Sequence, residues 1–221
     1  MKILKAIGVT LLTLFVGAIV ITIPIFVGLH LFEGNTFLKI GGMLATVMLL
    51  VLLLGDIRRR ILKKGEVVFG HLPWWQILLI TAVAFLIIMG VNHVLAKFGI
   101  VTTNGNNEDI KRLLRSQDSM WVMMISTHLS GPLLEELLCR GLLMEKLLQY
   151  FPKYEWLGLV VSAGVFAFAH TFSLSWSLID YFISGLVFSY LYYRTRRVGY
   201  SFTSHALTNM TITLLSMLFG G

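Results

Sequence analysis

The sequence is poor in charged residues. Only 13% of its 221 residues are Asp, Glu, Lys or Arg, while 57% are hydrophobic and the mean hydropathy is +0.82. A soluble domain of this length carries about 25% charged residues. Because a globular surface must meet water, a buried core alone does not explain so large a deficit. The composition therefore excludes an ordinary soluble protein and indicates a membrane protein whose length is that of one domain.

Other features are also missing. The single cysteine, Cys139, excludes an intramolecular disulfide and with it a secreted, cross-linked scaffold. The His-Glu-x-x-His motif of zinc peptidases does not occur. No internal repeat is evident, which disfavours a proton-coupled transporter, since many secondary transporters are built from repeats.

Basic residues outnumber acidic ones, giving a net charge of +7. They form short clusters between apolar runs, which is typical of cytoplasmic loops under the positive-inside rule and not of a nucleic-acid-binding surface. The clusters are Lys2 and Lys5; Arg58, Arg59, Arg60, Lys63 and Lys64; and Arg194, Arg196 and Arg197. We therefore expect no nucleic-acid partner and a cytoplasmic N-terminus. The segment 99–118 departs from the rule, because it would be external although it carries Lys111, Arg112 and Arg115.

Seven apolar runs are long enough to be considered as membrane spans, for which about 20 residues are needed. They cover 6–32, 37–55, 76–98, 119–149, 156–173, 176–193 and 200–219. The first run is too long for a signal-peptide core and is expected to be a retained span. The fourth is too long for one straight helix, and we expect Gly131-Pro132 to break or kink it. The predicted fold class is all-α, a polytopic transmembrane bundle of about seven spans.

Ionisable residues inside these runs are the informative ones, since a charge at the bilayer centre costs about 2.5–3.5 kcal/mol on insertion scales. Glu136 and Arg140 are four residues apart and share a helix face, so they can form an ion pair. Glu135 points about 100° away, which leaves an unpaired carboxylate that is available as a base. The alternative is a purely structural ion pair that holds helices together.

Two histidines lie in later runs. His170 follows Phe166 by four residues, and His205 precedes Asn209 by four. A single intramembrane histidine is more typical of a hydrogen bond between helices than of catalysis. The pair His205 and Asn209 can donate hydrogen bonds from one face to an oxyanion, a metal or a neighbouring helix. With the glutamates and the arginine, these residues form a constellation on three helices.

The order Glu-Glu-x-x-x-Arg, Phe-x-x-x-His and His-x-x-x-Asn resembles the CAAX protease and bacteriocin-processing (CPBP) family, also called Abi, which includes the CAAX prenyl endopeptidase. The resemblance covers residues 119–219. It divides the chain into residues 1–118, N-terminal transmembrane helices and loops without a recognised motif, and residues 119–221, a catalytic helix bundle. The candidate catalytic set is Glu135, Glu136, Arg140, His170, His205 and Asn209.

The resemblance implies a glutamate-dependent intramembrane endopeptidase without a cofactor. Glu135 and His170 would activate a water molecule, and His205 and Asn209 would stabilise the oxyanion of the tetrahedral intermediate. The second glutamate and its arginine would orient the site. A metal held by histidine and glutamate is a minor alternative. Cys139 as a nucleophile is another, although apolar packing is favoured because no cysteine-protease signature surrounds it.

The expected partners are the lipid bilayer and a membrane-embedded peptide or protein substrate, such as a bacteriocin leader or a peptide pheromone. The expected location is a bacterial plasma membrane. The main alternative is a non-catalytic protein that gives bacteriocin immunity by binding a toxin or a membrane partner.

If all spans were straight helices normal to the bilayer, the candidate residues would lie at different depths in the membrane and could not meet. Counted at about 1.5 Å per residue from the presumed cytoplasmic ends, Glu135 lies roughly 15 Å deep, His170 roughly 21 Å and His205 roughly 8 Å. Tilt, a break at Gly131-Pro132, or an extension of the fifth helix is needed to bring them together.

Overall fold

The computed structural model describes residues 1–31, 34–62, 69–100 and 119–219. These residues form seven helices and no strand, which confirms the all-α class. The helices are α1 (Lys2–Phe26, continued by a π turn at Val27–Leu31), α2 (Thr36–Ile61), α3 (Trp74–Lys97), α4 (120–150), α5 (Glu155–Thr171), α6 (Leu178–Thr195) and α7 (Val198–Phe219). Each predicted span overlaps one of them.

Three of the described helices are long and apolar enough to cross a membrane by length and composition. They are Lys2–Leu31, Thr36–Ile61 and Trp74–Lys97, with hydropathy values of 2.5, 2.4 and 2.4. Most of their large apolar side chains face outward, where lipid would cover them, as at Phe15, Leu49 and Leu86. α5 is also apolar but shorter. α4, α6 and α7 carry more polar residues, and they form the inner part of the bundle.

α4 lies at the centre and is not a regular α-helix. It alternates α-helical pieces with π turns: Met120–Ile125, Ser126–Ser130, Gly131–Glu136, Leu137–Met144 and Glu145–Tyr150. The residues at the junctions keep right-handed helical angles, so of the two outcomes expected at Gly131-Pro132, a break or a kink, the break does not occur. A proline in a regular helix would collide with the carbonyl four residues earlier. The π turn before Pro132 widens the backbone and accommodates the ring.

Apolar contacts fix α4 between the two halves of the chain. On one side, Val20 of α1 and Leu54 of α2 pack with Leu134 and Leu138. On the other side, Cys139 of α4 packs with Phe166 of α5 and Phe188 of α6. Within that half, Gly185 of α6 lies against α5, where an added Cβ would be 3.0 Å from the Cα of Ala163. A glycine at this position permits the close helix contact that membrane bundles use in place of a water-driven apolar core.

Two of the basic clusters, at 58–60 and 194–197, meet at one end of the bundle. Arg58 donates hydrogen bonds to the Arg196 carbonyl (2.8 Å) and the Tyr192 hydroxyl (3.2 Å). Arg196 in turn pairs with the buried Glu145 at 3.0 Å. We call this group the arginine end. The clusters at 58–60 and 194–197 therefore lie on one side, as the positive-inside rule requires. Which side is cytoplasmic stays a prediction, and residues 63–68 and 101–118, with their five basic residues, lie outside the described part.

Candidate active site

Glu136 and Arg140 form the predicted ion pair. The guanidinium Nη1 lies 2.9 Å from Glu136 Oε1, and both side chains are 0% exposed. Arg140 Nη2 donates to the Gly185 carbonyl at 2.9 Å. The guanidinium also lies over the rings of Phe166 (4.8 Å) and Phe188 (5.5 Å), close enough for cation–π attraction. The pair is thus fixed by α4, α5 and α6 together.

Glu135 points to a different set of groups. Its Oε2 lies 3.6 Å from His170 Nε2 and 3.7 Å from His205 Nε2. Both distances are beyond a direct hydrogen bond. This oxygen is buried and has no hydrogen-bond partner among the described residues, while the side chain as a whole is 14% exposed. The free carboxylate that helix geometry predicted is therefore present, with one imidazole on α5 and one on α7.

The other ring nitrogens fix how the two imidazoles are oriented. His170 Nδ1 lies 2.8 Å from the Phe166 carbonyl, which can only accept, so Nδ1 carries a proton. His205 Nδ1 lies 3.1 Å from Glu136 Oε1, and the arginine keeps that carboxylate an acceptor, so Nδ1 donates here too. Each histidine therefore presents Nε2 to Glu135. When neutral, Nε2 accepts a hydrogen bond; when the ring is cationic, it donates one.

Aromatic rings hold both imidazoles in place. His205 stacks on Phe188 with centroids 4.6 Å apart, and His170 stacks on Tyr181 at the same separation. Phe166 contacts both histidines, at 4.4 Å and 5.2 Å. Sequence analysis did not single out Tyr181, Phe188 or Gly185. Their i, i+4, i+7 spacing places them on one face of α6, and this periodicity is the signal that could have identified that face as site-lining.

Asn209 lies one turn after His205, but its contact is with the backbone of α4. Its amide Nδ2 donates to the carbonyl of Thr127 at 2.9 Å. Thr127 belongs to the π turn Ser126–Ser130, eight residues before Glu135. One amide hydrogen of Asn209 is therefore committed to holding α7 against α4. Its expected role as an oxyanion donor stays a prediction.

Three helices meet at Glu135 in spite of the different depths counted along straight spans. In the structure, His170 Nε2 and His205 Nε2 both lie within 3.7 Å of Glu135 Oε2. His170 is next to the last residue of α5, and Tyr181 lies in the first turn of α6. The site therefore lies toward the α5–α6 connection, away from the arginine end.

The remaining candidates have ordinary packing roles in the structure. Cys139 is buried in an apolar cluster with Phe166 and Phe188. Asp180, an acidic residue in the first turn of α6, accepts a hydrogen bond from Asn92 at 2.9 Å. Within the described ranges, no group of three or more His, Cys, Asp or Glu side chains has the arrangement of a metal site. The metal alternative is tested by chelation below.

Comparison with known proteins points to one family. Residues 117–211 match the family model Rce1-like, whose description is type II CAAX prenyl endopeptidase Rce1-like. The matched segment contains all three motifs and every candidate catalytic residue, which confirms the family resemblance. The chain matches no curated protein and no solved structure.

Proposed function

Because residues 117–211 of this chain match the family model Rce1-like, type II CAAX prenyl endopeptidase, we propose that the protein is an intramembrane glutamate endopeptidase. It hydrolyses a peptide bond in a membrane-associated peptide or protein with water activated by Glu135 and His170. The observation that carries this proposal is Glu135 Oε2, a buried oxygen without a protein partner that faces two Nε2 atoms at 3.6 Å and 3.7 Å.

These distances suit a water-activating site. Two polar atoms about 3.6 Å apart can each lie about 2.8 Å from one water oxygen. Glu135 removes a proton from this water as its oxygen bonds to the carbonyl carbon of the substrate, giving a tetrahedral intermediate. When the C–N bond breaks, the proton held by Glu135 passes to the amine of the leaving peptide, directly or through His170. The carboxylate is then regenerated.

We assign the role of oxyanion donor to His205, because its Nε2 faces Glu135 across the space for the reacting groups. This role requires a proton on Nε2 in addition to the one on Nδ1, which already donates to Glu136. A donor held at this position stabilises developing negative charge without reorganisation. In this scheme Arg140 holds Glu136 in place, and Glu136 orients His205 and stabilises its positive charge.

The proposed substrate is a short membrane-associated peptide, such as a bacteriocin leader or a pheromone precursor, in a bacterial plasma membrane. The all-helical bundle supports this class, because the catalytic side chains lie among helices whose outer faces are apolar. The alternative is an immunity protein that binds a toxin or a membrane partner without cutting it. Such a protein would not need the free carboxylate of Glu135.

The decisive experiment compares peptide termini in membrane fractions of a bacterial host by mass spectrometry. Cells carry the wild-type chain, Glu135→Gln, or the control Glu155→Gln, which removes a carboxylate hydrogen-bonded to Tyr193 at the arginine end. We expect new termini with the wild type and the control but not with Glu135→Gln. If equally abundant wild-type and Glu135→Gln proteins give the same termini, the peptidase proposal fails. An immunity phenotype that survives Glu135→Gln would then favour the binding role.

A further inference from the structure

The π turn Ser126–Ser130 of α4 is followed by Pro132, which cannot donate a backbone hydrogen bond to the turn. At the end of this turn the N–H of Gly131 bonds to the carbonyl of Ser126, five residues earlier. In the same register, the carbonyl of Thr127 would accept from the N–H of residue 132. That residue is Pro132, which has no N–H. A backbone carbonyl that loses its helical donor needs a hydrogen bond from elsewhere, because leaving it unpaired inside a protein is costly.

Asn209 supplies that donor. Its Nδ2 lies 2.9 Å from the Thr127 carbonyl oxygen, within the normal range for an N–H···O hydrogen bond. The asparagine side chain thus takes the place of the missing amide of Pro132. Because Asn209 and His205 are one turn apart on α7, the same bond also sets the position of His205 relative to α4.

The turn lies close to the side chain of Glu135. A Cβ added to Gly131 would lie 2.7 Å from the Ser126 carbonyl oxygen and 3.6 Å from Glu135 Oε1. A side chain at residue 131 would therefore occupy the space between the widened turn and the carboxylate. A change in the register of this turn would move the backbone against Glu135 and displace Oε2 from the two histidines.

We propose that Asn209 is a positioning residue that replaces the missing amide of Pro132 at the Thr127 carbonyl and so holds the π turn that places Glu135. That Glu135 is the catalytic group being positioned rests on the proposed function. The hydrogen bond from Asn209 to the Thr127 carbonyl does not rest on it, and the dependence on this bond distinguishes positioning by Asn209 from oxyanion donation. A positioning role depends on Pro132, whereas an oxyanion donor is needed whatever residue stands at 132.

The test is a double-mutant cycle. Pro132→Ala supplies an N–H five residues after Thr127, so it provides the donor that Asn209 otherwise gives. We measure Glu135-dependent termini per molecule of protein in host membranes, and the Tm of the purified full chain in detergent. Asn209→Ala alone should reduce cleavage about 100-fold, as expected for a misplaced catalytic group, and should lower the Tm. In the Pro132→Ala background the same substitution should cost far less in both measurements.

Two further variants serve as controls for this cycle. His205→Ala in the Pro132→Ala background should stay inactive, because a backbone amide at residue 132 does not replace an imidazole. Pro132→Val repeats the cycle with a side chain close to proline in volume if the alanine variant is unstable. Equal losses from Asn209→Ala with and without the N–H at 132 would overturn the proposal. If the wild type cleaves nothing, the proposed function fails, and the Tm cycle still decides whether Asn209 substitutes for the amide.

Discussion

Removing the guanidinium of Arg140 tests whether the buried ion pair serves catalysis or only stability. In Arg140→Met the apolar stem remains, but Glu136, a fully buried carboxylate, loses its guanidinium partner. Breaking a buried pair in this way costs about 3–5 kcal/mol. The lost contacts with Phe166 and Phe188 add about 0.5–2 kcal/mol. Since total stabilities are about 5–15 kcal/mol, we expect a large loss of folded protein.

The double variant Glu136→Leu/Arg140→Met separates the two roles. An apolar pair of similar volume is often as stable as the buried ion pair. The remaining cost is the unpaired Nδ1 of His205, which bonds Glu136 in the wild type and is worth about 1–3 kcal/mol when left unsatisfied. The double variant should therefore be more stable than Arg140→Met and still be inactive, because His205 has lost the carboxylate that orients and charges it.

Stability is measured by denaturant titration in mixed micelles, and activity by the Glu135-dependent termini in host membranes. Glu145→Gln alters a different buried carboxylate, at the arginine end, and serves as a control for loss of charge away from the site. The reasoning is refuted if Arg140→Met is as stable as the wild type, or if the double variant cleaves at the wild-type rate. The second result would make the pair purely structural.

Two further predictions concern packing and mechanism. Gly185→Ala places a Cβ 3.0 Å from the Cα of Ala163 and should reduce the free energy of unfolding by about 1–3 kcal/mol through overpacking. The control Gly164→Ala, with no atom within 4 Å of the added carbon, should leave the unfolding midpoint nearly unchanged. Equal midpoints for the two variants would contradict the packing argument. Cys139→Ala and treatment of wild-type membranes with a metal chelator should both leave the Glu135-dependent termini in place, and their loss in either experiment would restore the thiol or the metal mechanism respectively.

Hydropathy and helical spacing predicted the positions of the helices and the contacts made within a single helix. All seven helices lie where apolar runs were found, and the pairing of Glu136 with Arg140 follows from a separation of four residues. The unpaired state of Glu135 follows from the same geometry. The gathering of His170 and His205 around it came from the family resemblance, since spacing alone left a metal or a structural contact open.

Features that depend on contacts between helices were not predicted. Tyr181 and Phe188 look like ordinary apolar residues of α6 until their rings are placed against the histidines. A π turn inserts one residue into a helix without altering its composition, so the sequence predicted a break or a kink at Pro132 and gave no sign of a widened turn. The bond from Asn209 to the Thr127 carbonyl was hidden for the same reason, because backbone carbonyls carry no sequence signal.

The central place of α4 has a consequence for how the protein enters the membrane. The helix carries Glu136, Arg140 and Glu145 among apolar residues, and an unpaired charge costs about 2.5–3.5 kcal/mol at the bilayer centre. Glu136 and Arg140 pair with each other within α4, and the further partners of these charges come from later in the chain, at Gly185, Arg196 and His205. We therefore expect newly made α4 to complete its polar contacts only after α6 and α7 have emerged from the ribosome. A chain truncated before α6 lacks all three later partners, and it should be degraded by membrane quality-control proteases faster than the full chain.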